Sequence, residues 1–202
     1  MSAPTVAEPA KASRTRAQAG HVPGEAGIWI FIFGDMAVFA VLFATFLVYR
    51  SKEVALFDSS QLHLNSTFGL INTLLLLVSS MLVVLAVSAV RRETPRPAAL
   101  LIAGAIACGL AFSVLKVVEY VGKIDAGITP QTNTFYMFYF LLTGLHWFHL
   151  LLGLAVLTYL VVSARRKRHD ARQLAWFEGG GCFWHMVDLL WIALFPLIYL
   201  LN

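Results

Sequence analysis

Two cysteines in 202 residues leave no disulfide framework and no thiolate pair at metal-ligand spacing. Cys108 and Cys182 both fall inside long apolar runs, where each reads as small apolar filler. Charge is scarce as well. Asp, Glu, Lys and Arg make up 13% of the chain and hydrophobic residues 59%. Soluble domains carry about a quarter charged residues, so an ordinary soluble domain is excluded. No internal repeat is visible, and an odd number of apolar runs argues against the inverted-repeat transporter plan. The stretch ahead of Ala26 has no apolar core, so it does not read as a secretory signal peptide. Residues 1–25 are expected to form a disordered basic tail carrying Lys11, Arg14 and Arg16. The first helix would then serve as its own uncleaved insertion signal.

Unbroken apolar sequence is what the chain has in quantity. Five runs of roughly 20 residues or more are each long enough to cross a hydrocarbon core of about 30 Å as a helix. They lie near Ala26–Tyr49, Phe68–Val90, Ala98–Val121, Thr134–Val162 and Gly181–Leu201. The fold class is therefore all-α, a polytopic membrane helical bundle of five transmembrane helices over residues 26–202. Tyr49–Thr67 is partly apolar through Leu56, Phe57, Leu62 and Leu64, enough for a brief surface helix. Glu93–Pro97, E-T-P-R-P, breaks any helix and makes a tight turn. Gly127, Pro130 and Gln131–Asn133 mark the loop between the third and fourth spans, and Pro196 predicts a kink in the last one.

Basic residues gather on alternate connections. Arg91, Arg92 and Arg96 lie after the second span, and Arg165, Arg166, Lys167, Arg168 and Arg172 after the fourth. Arg50, Lys52 and Lys123 are the only ones expected opposite them and the tail. The positive-inside rule then places the N-terminus in the cytoplasm and the C-terminus outside. Topology accounts for these clusters, so they need no nucleic-acid partner.

The polar residues inside the apolar runs carry the chemistry. Ionisable groups at bilayer depth are costly and normally face a protein interior or a polar cavity. Asp35 lies about 15 Å into the first span at 1.5 Å per residue. It is either a proton-relay or lipid-contact carboxyl, or an interior acid neutralised by hydrogen bonding. Lys116 and Glu119 stand one turn apart, which suggests a local ion pair with Lys116 snorkelling toward the interface, or a carboxyl facing an interhelical cleft. His146 and His149 are spaced i, i+3 and could supply half of a metal or haem site. No HxxxH or Glu-x-x-His pattern accompanies them, so buried imidazoles bonded to carbonyls or acids on other helices fit better. His185 and Asp188 share a face of the fifth span between Trp184 and Trp191 and read as a hydrogen-bonded pair clamping helices. Asn72, Thr73, Ser79 and Ser80 are polar glue between helices, and Gly104, Gly109, Gly144 and Gly153 permit close approach.

In order along the chain, these pieces resemble subunit III of the haem–copper oxidases, the cytochrome c oxidase type. W-I-F-I-F-G-D-M-A-V-F resembles that family's apolar stretch around an intramembrane acid, with Asp35 where glutamate is usual. L-I-N-T-L-L-L-L-V-S-S resembles its run through Asn72, Thr73, Ser79 and Ser80. K-V-V-E-Y stands where the family has Q-x-x-E-Y, so Glu119 and Tyr120 carry over and Lys116 replaces a neutral glutamine. T-G-L-H-W-F-H-L-L-L-G and F-E followed by W-H-M-V-D-L-L-W match the T-G-x-H-x-x-H-x-x-x-G and W-H-x-V-D-x-x-W signatures, with Phe177 and Glu178 leading the second.

The resemblance implies a helical bundle of the shorter, five-helix kind, with a V-shaped cleft holding phospholipid. It implies a non-catalytic subunit of a respiratory terminal oxidase in a bacterial plasma membrane, with no haem, copper or other cofactor of its own. Its partners would be subunit I and subunit II of that complex, which it stabilises and whose proton uptake it supports. Asp35 and Glu119 would be its lipid- or proton-related acids, and Asn72, His146, His149, Glu178, His185 and Asp188 its buried structural polar residues. The opening P-G-E-A-G-I-W also resembles the NorE-type branch of the family, associated with nitric oxide reductases. A small proton-coupled transporter using Asp35, His146, His149, His185 and Asp188 is the reading from another class.

Overall fold

The computed structural model describes residues 26–92, 94–164 and 171–201. The expected tail and the Arg165–Arg168 cluster lie outside these residues. Six α-helices follow one another, with no strand among the described residues: α1 Ala26–Lys52, α2 Val54–Gln61, α3 Ser66–Arg91, α4 Pro95–Asp125, α5 Thr134–Ala164 and α6 Ala171–Phe195. A π-helical turn, Pro196–Leu200, continues α6. Five of the helices are long and apolar enough to cross a membrane, and the short α2 is the brief helix expected between the first two spans. The chain is a multi-pass membrane protein.

Helix ends follow the local chemistry. The side-chain oxygen of Asn65 accepts the Thr67 N–H at the start of α3, and Asn133 accepts the Tyr136 N–H at the start of α5, which satisfies N-terminal donors that the helix cannot. Pro95 opens α4 from its first turn, where its missing N–H costs nothing. At the other end of α4, Gly127 takes φ 76°. Its N–H bonds to Ile124 O and that of Ile128 to Lys123 O, the double closure in which a left-handed residue ends a helix.

Two differences from the sequence reading concern α6. The apolar run suggested a fifth span from Gly181, but the helix begins at Ala171, so Glu178 and the three glycines after it are helical. Glycine weakens an isolated helix by about 1 kcal/mol per residue, and packing reverses that here. A Cβ on Gly180 would stand 2.8 Å from Leu160 Cδ1 and 3.0 Å from Val156 Cγ1, so α5 approaches α6 closely at this glycine. Pro196 produces a π-turn at the end of the helix, in keeping with an interrupted hydrogen-bond ladder.

The helices form one buried core. α3 runs antiparallel to α6, with Arg91 opposite Glu178, Ser80 opposite His185 and Thr73 opposite Trp191. α5 packs on the far side of α6. A Cβ on Gly153 would meet Trp184 ring carbons at 2.7 and 2.8 Å, and one on Gly109 of α4 would meet the same indole at 3.0 Å. Trp184 is fully buried in this seat. Near α2, Phe46, Phe57 and Phe135 form an edge-to-face cluster with centroids 5.3 and 5.5 Å apart, binding α1 and α2 to α5.

Candidate functional site

Polar residues inside the bundle divide into three groups. The first joins α1 to α5. His149 Nε2 lies 3.0 Å from Asp35 Oδ1, and His149 Nδ1 lies 2.8 Å from Leu145 O. A carbonyl only accepts, so Nδ1 carries a hydrogen. The Nε2–Oδ1 contact then holds one further proton, on the carboxyl or on the imidazole. With either placement the pair is neutral overall, which is what a low-dielectric site requires of an ionisable pair. Asp35 therefore has a partner, and His149 meets an acid on another helix as the sequence suggested. His146, one turn away, does not follow that expectation. Both of its ring nitrogens are buried without a hydrogen-bond partner, and it packs against Phe112 and Trp191. The ionisable groups facing it are Lys116 and His149.

The second group is centred on Lys116. Its Nζ donates to Glu119 Oε2 and to Tyr199 Oη, both at 2.9 Å, while Tyr199 Oη donates to Glu119 Oε1 at 2.6 Å. The ion pair expected one turn along α4 is present, but snorkelling is not. Lys116 is 1% exposed, because Tyr199 and a set of aromatic rings solvate it inside the bundle. Beside it, Thr143 donates to Tyr139 O, so Tyr120 Oη must be the donor in its bond to Thr143 Oγ1.

The third group follows the α3–α6 seam. Arg91 Nη2 bonds Glu178 Oε1 at 2.8 Å, and Glu178 is buried while Arg91 is half-exposed. His185 Nδ1 pairs with Ser80 Oγ at 2.6 Å. The expected His185–Asp188 bond is replaced by this one: residues one turn apart share a face, but both turn toward α3. Neither Asp188 oxygen meets a hydrogen-bond partner, and Ser80 is the polar side chain beside it. Further along, Ser79 donates to Ala105 O and accepts from Trp184 Nε1, while Thr73 donates to Gly69 O and accepts from Trp191 Nε1. Ser79, Ser80 and Thr73 thus act as interhelical glue. Asn72, expected to do the same, is fully buried with both amide atoms unpaired.

The structure therefore separates His185 and Asp188 from the histidines of α5 and brings Asp35, His149, His146 and Lys116 together. Among the described residues, no cluster of three or more His, Cys, Asp or Glu side chains has the proximity to hold a metal ion. Cys108 and Cys182 are both free. The sequence reading missed Tyr199, whose register is reset by the π-turn, and the clamp on that turn. Arg50 Nη2 donates to Leu201 O at 2.6 Å, and Gln61 Nε2 to Ile198 O at 2.9 Å.

The sequence profile of the family described as cytochrome c oxidase subunit III matches residues 15–202. The chain belongs to the cytochrome c oxidase subunit III family. Among its relatives is the cytochrome c oxidase subunit 3 of Alkalihalophilus pseudofirmus, 30% identical over 87% of this chain and 85% of the relative. The quinol oxidase subunit 3 of Bacillus subtilis is 26% identical over 87% and 86%. A heme-copper oxidase subunit I+III of Aeropyrum pernix is 28% identical over 86% of this chain, which spans 22% of that longer protein. Within this subunit III framework, the three polar groups sit on the segments whose motifs carry the resemblance.

Proposed function

We propose that the chain is a non-catalytic subunit III of a respiratory haem–copper terminal oxidase in a bacterial plasma membrane. It packs against subunit I, alongside subunit II, in a complex that reduces oxygen and moves protons outward. The observation that carries this is the family match across residues 15–202, which contains every motif of the polar interior. The Aeropyrum pernix relative, whose name joins subunits I and III in one polypeptide, supports subunit I as the neighbour. Haem and copper belong to those partners in this reading.

The N-terminus faces the cytoplasm, with Arg91, Arg92 and Arg96 on that side by the positive-inside rule. Asp35 and Glu119 are the lipid- or proton-related acids, and the remaining buried polar residues fasten helices. A phospholipid acyl chain fits the apolar groove of ≈ 270 Å³ between α1, α5 and α6, walled by Ile28, Phe31, Val156, Trp176 and Phe183.

Purification from native membranes through a tag on this chain, followed by mass spectrometry, tests the assignment. Recovery of an oxidase subunit I supports it. Recovery of nitric oxide reductase subunits would move the chain to the NorE-type branch. Transport by the purified chain alone in liposomes, lost in Asp35→Asn, would replace both with a proton-coupled transporter.

A further inference from the structure

Lys116 is a fully buried lysine set in a shell of rings and oxygens that includes Glu119. Lys116 Nζ lies 5.1 Å from the Trp191 ring centroid, 5.2 Å from Tyr139, 5.5 Å from Tyr199 and 5.6 Å from Tyr120. All four fall within the roughly 6 Å over which a ring face attracts a cation. Glu119 Oε2 and Tyr199 Oη each accept a hydrogen bond from the same nitrogen at 2.9 Å. The shell is assembled from α4, α5, α6 and the π-turn, so it exists only in the folded bundle. A lysine that merely needed to reach the interface would require none of it.

The donor set specifies the ligand. Two oxygens require N–H groups, and the rings accept the rest of a compact positive charge. A primary ammonium meets both demands. A quaternary ammonium would satisfy the rings and leave Glu119 Oε2 and Tyr199 Oη without the donors they have here. A cleft of ≈ 360 Å³ has Glu119 in its wall with His63, Asn65, Val118 and Lys123.

We propose that this nest is a primary alkylammonium-binding site filled by the protein's own Lys116, a tethered ligand that fastens the C-terminal π-turn to α4. The turn's other fasteners, Arg50 and Gln61, hold its backbone carbonyls. Lys116 instead holds the Tyr199 side chain, from a cation seated among aromatic rings. The assignment does not depend on which enzyme the subunit serves.

The test is chemical rescue in the full chain, purified with whatever accompanies it. Lys116→Ala removes the atoms beyond Cβ, and n-propylammonium reproduces them. The unfolding midpoint of Lys116→Ala is expected to fall and then to rise saturably with n-propylammonium. Wild type should not respond, and Lys116→Ala combined with Glu119→Gln should not be rescued. Absence of rescue, an equal response in wild type, or equal rescue by tetramethylammonium would each overturn the proposal.

If Lys116→Ala does not fold, amine acylation of the native chain decides. Lys116 should react at least about tenfold more slowly than the exposed Lys52, as expected for an amine held by charged hydrogen bonds. Tyr199→Phe should speed its labelling. Labelling of Lys116 as fast as Lys52 in the native chain overturns the site.

Discussion

Asp35 and His149 show how one contact sets the cost of a substitution. Because Leu145 O holds the Nδ1 hydrogen, His149 Nε2 always needs a partner at 3.0 Å. Asp35→Ala leaves it unpaired and should lower stability by about 1–3 kcal/mol, the penalty for a buried unsatisfied polar group. Asp35→Asn can still donate to Nε2 and should cost less than half of that in the same denaturation series. Equal losses would mean the pair is not bonded as described. Ser79→Ala is a second case, since it strands Trp184 Nε1, while Ala105 O keeps its place in the α4 hydrogen-bond ladder. Polar contacts between membrane helices average about 0.6 kcal/mol. A loss of about 1 kcal/mol is expected, with a change in Trp184 fluorescence as the accompanying signal.

Which residues matter was legible from sequence at this scale, because Asp35, Lys116, Glu119, His146, His149, His185 and Asp188 are too costly in apolar helices to be incidental. Their partners were less so. One-turn spacing gave the Lys116–Glu119 pair, but it pointed His185 at Asp188 when its bond crosses to Ser80. Spacing along one helix cannot reveal what the next helix presents.

At the scale of elements, glycine decides where helices meet. Gly153→Ala would drive a methyl into the Trp184 ring, whose carbons stand 2.7 and 2.8 Å from the added Cβ. Overpacking of this kind costs about 1–3 kcal/mol. Gly122→Ala, in the same type of helix, meets nothing within 4 Å. It should be neutral or stabilising by about 0.5–1 kcal/mol through lost backbone freedom in the unfolded chain. Thermal unfolding of the two variants side by side checks the contrast, and equal destabilisation would contradict the packing described. The turn at Gly127 was readable because glycine acts locally, but the break expected through Pro97 is not there: Pro95–Pro97 open α4, whose first turn tolerates proline. The start of α6 was not readable, since the apolar run begins near Gly181 while the helix starts ten residues earlier, at Ala171. The π-turn escaped for a related reason: Pro196 announces a break, but its geometry depends on Arg50, Gln61 and Lys116, from three other helices, holding the end of the chain.

The whole molecule is a bundle whose polar interior spans it in two files, one from α1 through α5 to α4 and one along the α3–α6 seam. Family and span number followed from ordered motifs and long apolar runs, which survive without knowledge of any contact. Orientation rests on charge placement and has its own test. A membrane-impermeant thiol reagent applied to intact cells should label Ser59→Cys on α2 and spare Thr94→Cys between α3 and α4. Reversed labelling would invert the topology.

The central claim, that this chain is the haem-free subunit III of a haem–copper oxidase, is tested most directly by a reduced-minus-oxidised visible spectrum of tag-purified material. The spectrum would be recorded before and after this chain is separated from its companions. The account predicts haem bands in the intact complex and none on the separated chain. Stoichiometric haem remaining with this chain, or a purified complex without haem, would contradict it.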